Sequence, residues 1–148
     1  MRNLTTLLLP LVLTGCGVFG GSNLEGGWSG ELECGEAGDF EIEITLEKDD
    51  DKDDLYVGTG EIKDIFCSNG ETVVECDLLF DVEVEAEGGS GEQDLDIELD
   101  NCELEIGGDS TDTDCDDDPE DAEWDGEDTI IFETEVGGVT CDGEIERD

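Results

Sequence analysis

One stretch of the sequence decides the fold: Val74-Glu75-Cys76-Asp77-Leu78-Leu79-Phe80-Asp81-Val82-Glu83-Val84-Glu85-Ala86. Apolar or small side chains occupy every second position, and an acidic residue stands at every position between them except Leu79. This period of two is typical of a β-strand that buries one face and exposes the other to water. Because the run is longer than an ordinary strand, we predict that it bends or serves two parts of a curled sheet.

The same alternation recurs on both sides of this stretch. It marks residues 28–34, 40–46, 95–99, 102–106, 130–136 and 139–145, and more weakly residues 55–65. Segments rich in glycine or asparagine, typical of turns, separate these runs, and no helical period follows residue 16. The sequence therefore predicts one all-β domain over residues 28–148. We expect an antiparallel meander of about seven to nine strands, closed as a small barrel or a sandwich.

The net charge of the chain is extreme. Asp and Glu total 47 residues against five Lys and Arg, which gives a formal charge of −42 at pH 7. An antiparallel sheet exposes one face to water, so we interpret most of these acids as a solvated outer surface. Phosphate binding requires clustered Lys and Arg, which excludes nucleic acid as a partner. Self-repulsion of this size works against a compact fold, so divalent cations are candidate partners that would offset it.

The N-terminal region has the features that predict an export signal. A single basic residue, Arg2, precedes an apolar run over residues 4–13, which ends in Leu13-Thr14-Gly15-Cys16. These four residues resemble the lipobox of bacterial lipoproteins. The resemblance implies that residues 1–15 are a signal peptide and that Cys16 is acylated and becomes the mature N-terminus. An ordinary cleaved signal peptide is the alternative, and the apolar run is too short to cross a bilayer.

The resemblance also predicts a location. Gly17 follows the cysteine where an aspartate would otherwise retain a lipoprotein at the inner membrane, which implies the outer membrane of a Gram-negative cell. The domain would face either the periplasm or the cell surface. Residues 16–27 are predicted to be the acylated cysteine and a flexible Gly-rich tether, which lipid would hold at the membrane.

Six further cysteines follow Cys16: Cys34, Cys67, Cys76, Cys102, Cys115 and Cys141. An even number in an exported chain predicts three disulfides, although six cysteines allow fifteen pairings. The positions favour a Cys67–Cys76 bridge across a hairpin and a Cys34–Cys141 bridge between the first and last strands, which leaves Cys102 for Cys115. Structural zinc is the alternative, but the chain has neither a Cys-x-x-Cys pair nor a histidine.

Residues 109–128 form a dense acidic segment without alternation, which we predict to be a long loop. Calcium binds oxygen ligands, and EF-hand loops supply them from positions 1, 3, 5, 7, 9 and 12. Counted from residue 112, these offsets select Asp112, Asp114, Asp116, Asp118, Glu120 and Glu123. Against a Ca²⁺ site, Asp117 stands where the loop needs glycine, and Pro119 follows. A solvated acidic loop held by Cys115 is the alternative.

The two tryptophans receive different predictions. Trp28 has the inward phase of the first strand, so we expect it in the core, whereas Trp124 lies in the acidic segment and is a candidate for a partner contact. The segment Gly26-Gly27-Trp28 is similar to the Gly-x-Trp start of lipocalin-like barrels. The resemblance favours a barrel over a sandwich, and it assigns no ligand or binding residue.

The residue types argue against catalysis. Without histidine, the commonest general base is absent, and no Ser-His or Cys-His pair can form. We therefore predict a non-catalytic, lipid-anchored envelope protein, either a binding or a structural module, with no assigned cofactor. The alternative is a Ca²⁺-dependent binding module that uses residues 109–128. The sequence does not identify a protein or glycan partner.

Overall fold

The described part of the chain is almost entirely β-strand. The structure, a computed structural model, describes residues 23–68, 70–86, 92–115 and 118–148. Its strands are β1 (Gly26–Glu33), β2 (Asp39–Lys48), β3 (Leu55–Ser68), β4 (Val73–Ala86), β5 (Gln93–Ile106), β6 (Asp109–Asp112), β7 (Glu120–Trp124), β8 (Thr129–Val136) and β9 (Val139–Arg147). A single 3₁₀ turn, Gly35–Ala37, is the helical content of these residues. Over the same residues, no helix is long and apolar enough to cross a bilayer. The predicted all-β class is confirmed.

Eight of these strands close into an antiparallel barrel. Each strand pairs with its neighbour in the chain from β1 to β5, β5 then pairs with β7, and β7 to β9 continue the meander. Pairing between β9 and β1 closes the ring. Strand β6 is an addition to this ring, and its registered pairing is with the last residues of β5. Of the two predicted architectures, the structure is the barrel.

The stretch that decides the fold lies in β4, a single strand in the wall of the closed barrel. It pairs with β3 along one edge and with β5 along the other. The register against β5 shifts between Leu79 and Asp81, where β5 carries one extra residue and bulges opposite the middle of β4. From there to the end of the strand, Val82, Val84 and Ala86 point into the core while the acids between them face water. A bulge of this kind increases twist and lets one long strand follow a closed wall.

Two segments differ from the sequence prediction. Residues 95–99 and 102–106, predicted as two strands, belong to the single strand β5, and Asn101 between them has a left-handed φ of 48°. Asparagine tolerates this conformation, so β5 absorbs it as a bulge opposite β4 instead of turning. The predicted loop over residues 109–128 contains β6 and β7. All of β6 is exposed, so it pairs through its backbone and leaves no alternation of side chains to detect.

Side chains fill the interior of the barrel. The core contains inward-facing residues from both halves of the sheet together with five of the six bridged cysteines. The sixth, Cys115, is partly buried against it. Among Ile42, Phe80, Ile97 and Phe132 it leaves a cavity of about 20 Å³, which is room for about one water molecule. Close packing of the wall requires glycine at two positions, because a Cβ on Gly30 would overlap the carbonyl oxygen of Glu144 and one on Gly58 would overlap that of Thr45.

The two ends of the barrel differ in construction. At the end that we call the closed end, Leu24, Trp28 and Tyr56 are fully buried. The guanidinium of Arg147 lies 4.4 Å from the centroid of the Trp28 ring. The indole Nε1 of Trp28 donates a hydrogen bond of 2.9 Å to the carbonyl oxygen of Leu24. The chain that precedes β1 is therefore packed across this end.

The opposite end, which we call the disulfide end, carries all three bridges. They join Cys34 to Cys141, Cys67 to Cys76 and Cys102 to Cys115. These are the pairs that the spacing favoured. Cys34 and Cys67 lie at or near the ends of β1 and β3, and Cys76 and Cys141 lie near the starts of β4 and β9. Cys102 lies inside β5, and Cys115 follows β6.

Candidate functional site

An open, apolar cavity of about 440 Å³ lies at the disulfide end. We call it the mouth. Its apolar lining comes mainly from the six strands β2, β3, β4, β5, β8 and β9, and includes Phe40, Ile65, Phe66, Leu78, Leu104 and Val139. Polar groups are few, with Thr113 and Asp114 among them. A concave apolar surface of this volume falls within the range of ligand sites in proteins.

The mouth opens because β3 separates from β2 before it ends. The registered pairing between the two strands stops at Ile42 and Ile62. Asp64 then has a left-handed φ of 55°, and its N–H donates a hydrogen bond of 2.9 Å to Asp77 Oδ1. The register against β4 shifts between Ile62 and Ile65, so one extra residue is accommodated there. The remainder of β3 is thereby redirected along the rim.

Phe66 is the most unusual residue of the mouth. Its side chain is 63% exposed, at the outward position between the buried residues Ile65 and Cys67. Its ring contacts Phe40 edge-on, with centroids 6.2 Å apart and planes at 76°. Aromatic pairs favour this arrangement, and here it holds Phe66 over the cavity with much of its ring in water. The sequence analysis did not select Phe66, and the one available signal was an aromatic residue at an outward strand position.

The disulfides make the rim of the mouth rigid. Cys67 lines the cavity, and its bridge to Cys76 joins β3 to β4. The Cys102–Cys115 bridge fixes the segment that follows β6, and Thr113 N–H donates to the Cys102 carbonyl oxygen at 2.9 Å. Across the mouth, Val136 pairs with Val139 through a two-glycine turn with positive φ at both glycines. Such a turn suits the twist of a hairpin and closes it tightly.

Carboxylates adjoin the apolar lining. Several lining residues have an acidic neighbour in the sequence or across a strand pair. The nearest in sequence or register are Asp39 beside Phe40, Glu75 opposite Phe66, Asp77 beside Leu78 and Glu105 beside Leu104. We call these four acids the collar. The collar gives an apolar site an electrostatically negative border.

Basic residues are concentrated away from the mouth in the described chain. Lys48 pairs in register with Tyr56 at the closed end, Lys52 lies in the β2–β3 turn at that end, and Arg147 packs on Trp28 there. Lys63, on the outer face of β3, has its Nζ 2.9 Å from Glu43 Oε2 and 3.6 Å from Glu41 Oε1. None of the four lines the mouth.

A second concave surface, which we call the acidic groove, follows the outer face of β1, β9, β8 and β7. Its volume is about 650 Å³. Here carboxylates stand directly opposite one another across the strands, with Glu31 between Glu41 and Glu144. Ile131, which is 44% exposed, is its main apolar contact on the outer face. Like charges in direct register destabilise a sheet, so repulsion between these carboxylates lowers the stability of this part of the barrel.

Two carboxylates have a pKa that departs from its ordinary value. Glu61 on β3 has a pKa raised above 4.5, first by burial and then by Asp77 and other nearby carboxylates, while Lys63 acts in the opposite direction. Asp125, in the turn between β7 and β8, has a pKa lowered below 3.8 because its carboxylate accepts backbone hydrogen bonds from Glu127, Thr129 and Asp128. The two groups therefore respond oppositely to pH.

The predicted calcium ligands are distributed over different elements. Asp112 ends β6, Asp118 Oδ1 accepts a hydrogen bond of 2.9 Å from Leu99 N–H, and Glu120 and Glu123 lie on β7. Asp116 lies outside the described residues. Among the residues that are described, no three acids or cysteines form a group able to hold a metal ion. Binding of Ca²⁺ by this segment stays a prediction.

The predicted partner contact at Trp124 is wrong. Trp124 is 5% exposed and belongs to the core, because β7 turns it into the barrel opposite Gln93 of β5. Its indole Nε1 finds no acceptor among the described residues. Trp28 is buried as predicted. The lipobox and Cys16 lie outside the described residues, so acylation also stays a prediction.

No family model matches the chain, and neither a curated protein nor a solved structure matches it.

Proposed function

We propose that this protein is a non-catalytic, lipid-anchored binding module of the cell envelope, and that the mouth is its contact surface. The observation that carries the proposal is the exposure of Phe66 over an apolar cavity, on a chain whose formal charge is −42. The exposed aromatic ring is part of an apolar patch on a surface that is otherwise rich in carboxylates. Exposed apolar patches commonly mark interaction sites.

The position of the mouth fits an anchored module. Acylation of Cys16 would attach the closed end to the membrane, because Leu24 is buried there and Arg147 donates a hydrogen bond of 2.6 Å to the Asn23 carbonyl oxygen. The seven steps from Cys16 to Asn23 span at most about 25 Å when fully extended. The mouth, at the other end of the barrel, would then point away from the membrane and remain open to partners.

The interior supports a surface site rather than an enclosed one. The cavity among Ile42, Phe80 and Phe132 holds about 20 Å³, far below the roughly 300 Å³ of a small-molecule pocket. A ligand would therefore contact the end of the barrel through the mouth, and its remainder would stay outside.

Indole, a neutral apolar probe, tests the proposal. The full chain, carried in phosphatidylcholine nanodiscs and labelled with ¹³C in its phenylalanine rings, would be titrated with indole and followed by NMR. We expect saturable shifts of the Phe66 and Phe40 resonances, with smaller shifts of Phe80 and Phe132 in the core. Phe66→Ser should remove the saturable component. Uniform shifts of all rings, or no saturable shift at Phe66, would show that the mouth is not a binding surface.

A further inference from the structure

We infer that the occupant of the mouth is a basic polypeptide segment that inserts one aromatic or large aliphatic side chain between its own Lys or Arg residues. This inference rests on the proposed function, because it names the class of partner for the same surface. It combines three features of the described chain: the size of the cavity, the exposed ring of Phe66, and the charge of the border.

The cavity is sized for one anchoring group. Its volume of about 440 Å³ lies near the lower limit of ligand sites and opens directly to solvent. Phe66 contacts Phe40 by an edge, which leaves a large part of the Phe66 ring free for a further contact. A single Trp, Phe or Leu side chain can cover that ring, and aromatic anchors of this kind contribute most of the binding energy at many interfaces.

The charge of the border selects the sign of the occupant. The collar of Asp39, Glu75, Asp77 and Glu105 follows the lining, and Asp114 is part of the lining itself. An anionic ligand or an anionic membrane surface would be repelled. A second copy of the chain is excluded for the same reason, since it would bring the same charge of −42 against the same surface.

The one basic residue on the neighbouring outer face cannot neutralise this border. Lys63 is already held between Glu41 and Glu43. Lysine or arginine residues from a partner would therefore find uncompensated carboxylates on several sides of the mouth. Consecutive Cα atoms are about 3.8 Å apart, so basic residues one or two positions from the anchor can reach the collar.

The mouth and the acidic groove differ in what they can select. Carboxylates of the groove attract any cation, whereas the mouth adds an apolar contact that only an amphipathic segment satisfies. The overall charge would speed the approach of a basic partner, because electrostatic steering acts over distances longer than a contact. The structure thus assigns attraction to the whole surface and selectivity to the mouth.

Three capped pentapeptides test the inference by calorimetry on the full chain in phosphatidylcholine nanodiscs, with empty nanodiscs as the blank. One has tryptophan between two pairs of lysines, the second replaces tryptophan with serine, and the third replaces all four lysines with serine. We expect the first to bind about tenfold more tightly than either other peptide. In 1 M NaCl, the advantage given by the lysines should shrink, because the Debye length falls to about 3 Å.

Two variants locate the contact. Phe66→Ser should weaken the lysine–tryptophan peptide about tenfold, to the level of the lysine–serine peptide. Ile131→Ser, which removes the exposed apolar residue of the acidic groove, should leave its affinity unchanged. Equal binding of the two lysine peptides, or loss of binding in Ile131→Ser instead of Phe66→Ser, would overturn the inference.

The same measurements separate this inference from the proposed function. If indole saturates the mouth but the lysines add no affinity, the basic partner is wrong and the binding surface stands. If indole fails to bind at Phe66, the proposed function is wrong as well.

Discussion

The guanidinium of Arg147 lies 4.4 Å over the ring of Trp28 and joins the last strand of the barrel to its first. The same side chain donates hydrogen bonds of 2.6 Å to the carbonyl oxygens of Asn23 and Glu25. One cation thus stacks on the buried tryptophan and satisfies the backbone that covers the closed end.

Arg147→Met is expected to lower the free energy of unfolding by about 2 kcal/mol, because charge-assisted hydrogen bonds and the cation–π contact are lost together. Lys52→Met is the matched control, since it removes the same formal charge from an exposed turn and should change stability by no more than about 0.5 kcal/mol. Urea unfolding followed by circular dichroism measures both. Equal effects would show that Arg147 acts only through net charge.

Neutralising a carboxylate of the acidic groove is expected to stabilise the protein. Glu31 and Glu144 stand directly opposite in β1 and β9, where like charges cost roughly 0.2–1 kcal/mol. Each single change to Gln should raise the free energy of unfolding in low salt. A double-mutant cycle should show coupling that disappears in 1 M NaCl, because salt screens the repulsion. Glu36→Gln, in the exposed 3₁₀ turn, is the control. Destabilisation by Glu31→Gln would contradict the repulsion.

The effects of the Glu61→Gln and Asp125→Asn changes on stability should depend on pH and have opposite signs at pH 7. The raised pKa of Glu61 means that its contribution to stability is present below pH 4.5 and is lost as the pH rises through the folded-state value. Glu61→Gln should therefore stabilise the protein at pH 7, by about 0.5 kcal/mol or less, and should have less effect at pH 4.

The lowered pKa of Asp125 has the reverse sign. Its contribution is present above pH 3.8 and is lost as the pH falls through the folded-state value. Asp125→Asn should destabilise the protein at pH 7 and approach the parent protein in stronger acid. Thermal unfolding from pH 7 to pH 2 measures both variants, and parallel pH profiles would refute the assignments.

The three disulfides should contribute unequally to stability. The Cys34–Cys141 bridge encloses a sequence separation of 107 residues and the Cys67–Cys76 bridge one of nine. In the chain-entropy account, their loss costs about 5 and about 2.5 kcal/mol respectively. Paired Cys→Ser variants for each bridge, compared by urea unfolding, give the order. A larger loss from the short bridge would show that its role at the mouth is local packing rather than a constraint on the unfolded chain.

Calcium should bind weakly and without a single site. The predicted ligands that are described lie on β6, β7 and the segment between them and are not grouped around one point. We expect calorimetric titration with Ca²⁺ to give shallow uptake that Asp114→Asn and Asp116→Asn do not change. Saturable binding that these changes abolish would favour the Ca²⁺-dependent module instead.

The sequence predicted most strands of the barrel because a hydrophobic period of two arises directly when a strand buries one face and exposes the other to water. Strand β4 shows this most clearly, with Val82, Val84 and Ala86 buried in the predicted phase. Two of the favoured cysteine pairs followed from the order of the strands, and the third, Cys102–Cys115, was the pair that remained. Where side chains carried no alternation, as in β6, backbone pairing alone formed the strand and the sequence showed no sign of it.

The candidate site was harder to predict because it depends on where strands separate. Phe66 lies beyond the bulge at Asp64, past the last registered pair between β3 and β2. The prediction for Trp124 was wrong for the opposite reason. Its acidic neighbours suggested an exposed loop, whereas β7 pairs with β5 and β8 and the Trp124 ring is buried. The local amino-acid composition indicated neither the separation of β3 from β2 nor the burial of Trp124.

The tight approach of strands at Gly30 and Gly58 has a consequence for recognising distant relatives. Carboxylates on the outer face can be substituted without altering the barrel wall, and apolar residues can replace one another in the core. Overall sequence identity between homologues would therefore fall quickly. A methyl group at either glycine would collide with the backbone of a neighbouring strand. The spacing of these glycines relative to the six bridged cysteines should therefore persist longest, and it offers a sharper fingerprint of the lineage than the acidic composition does.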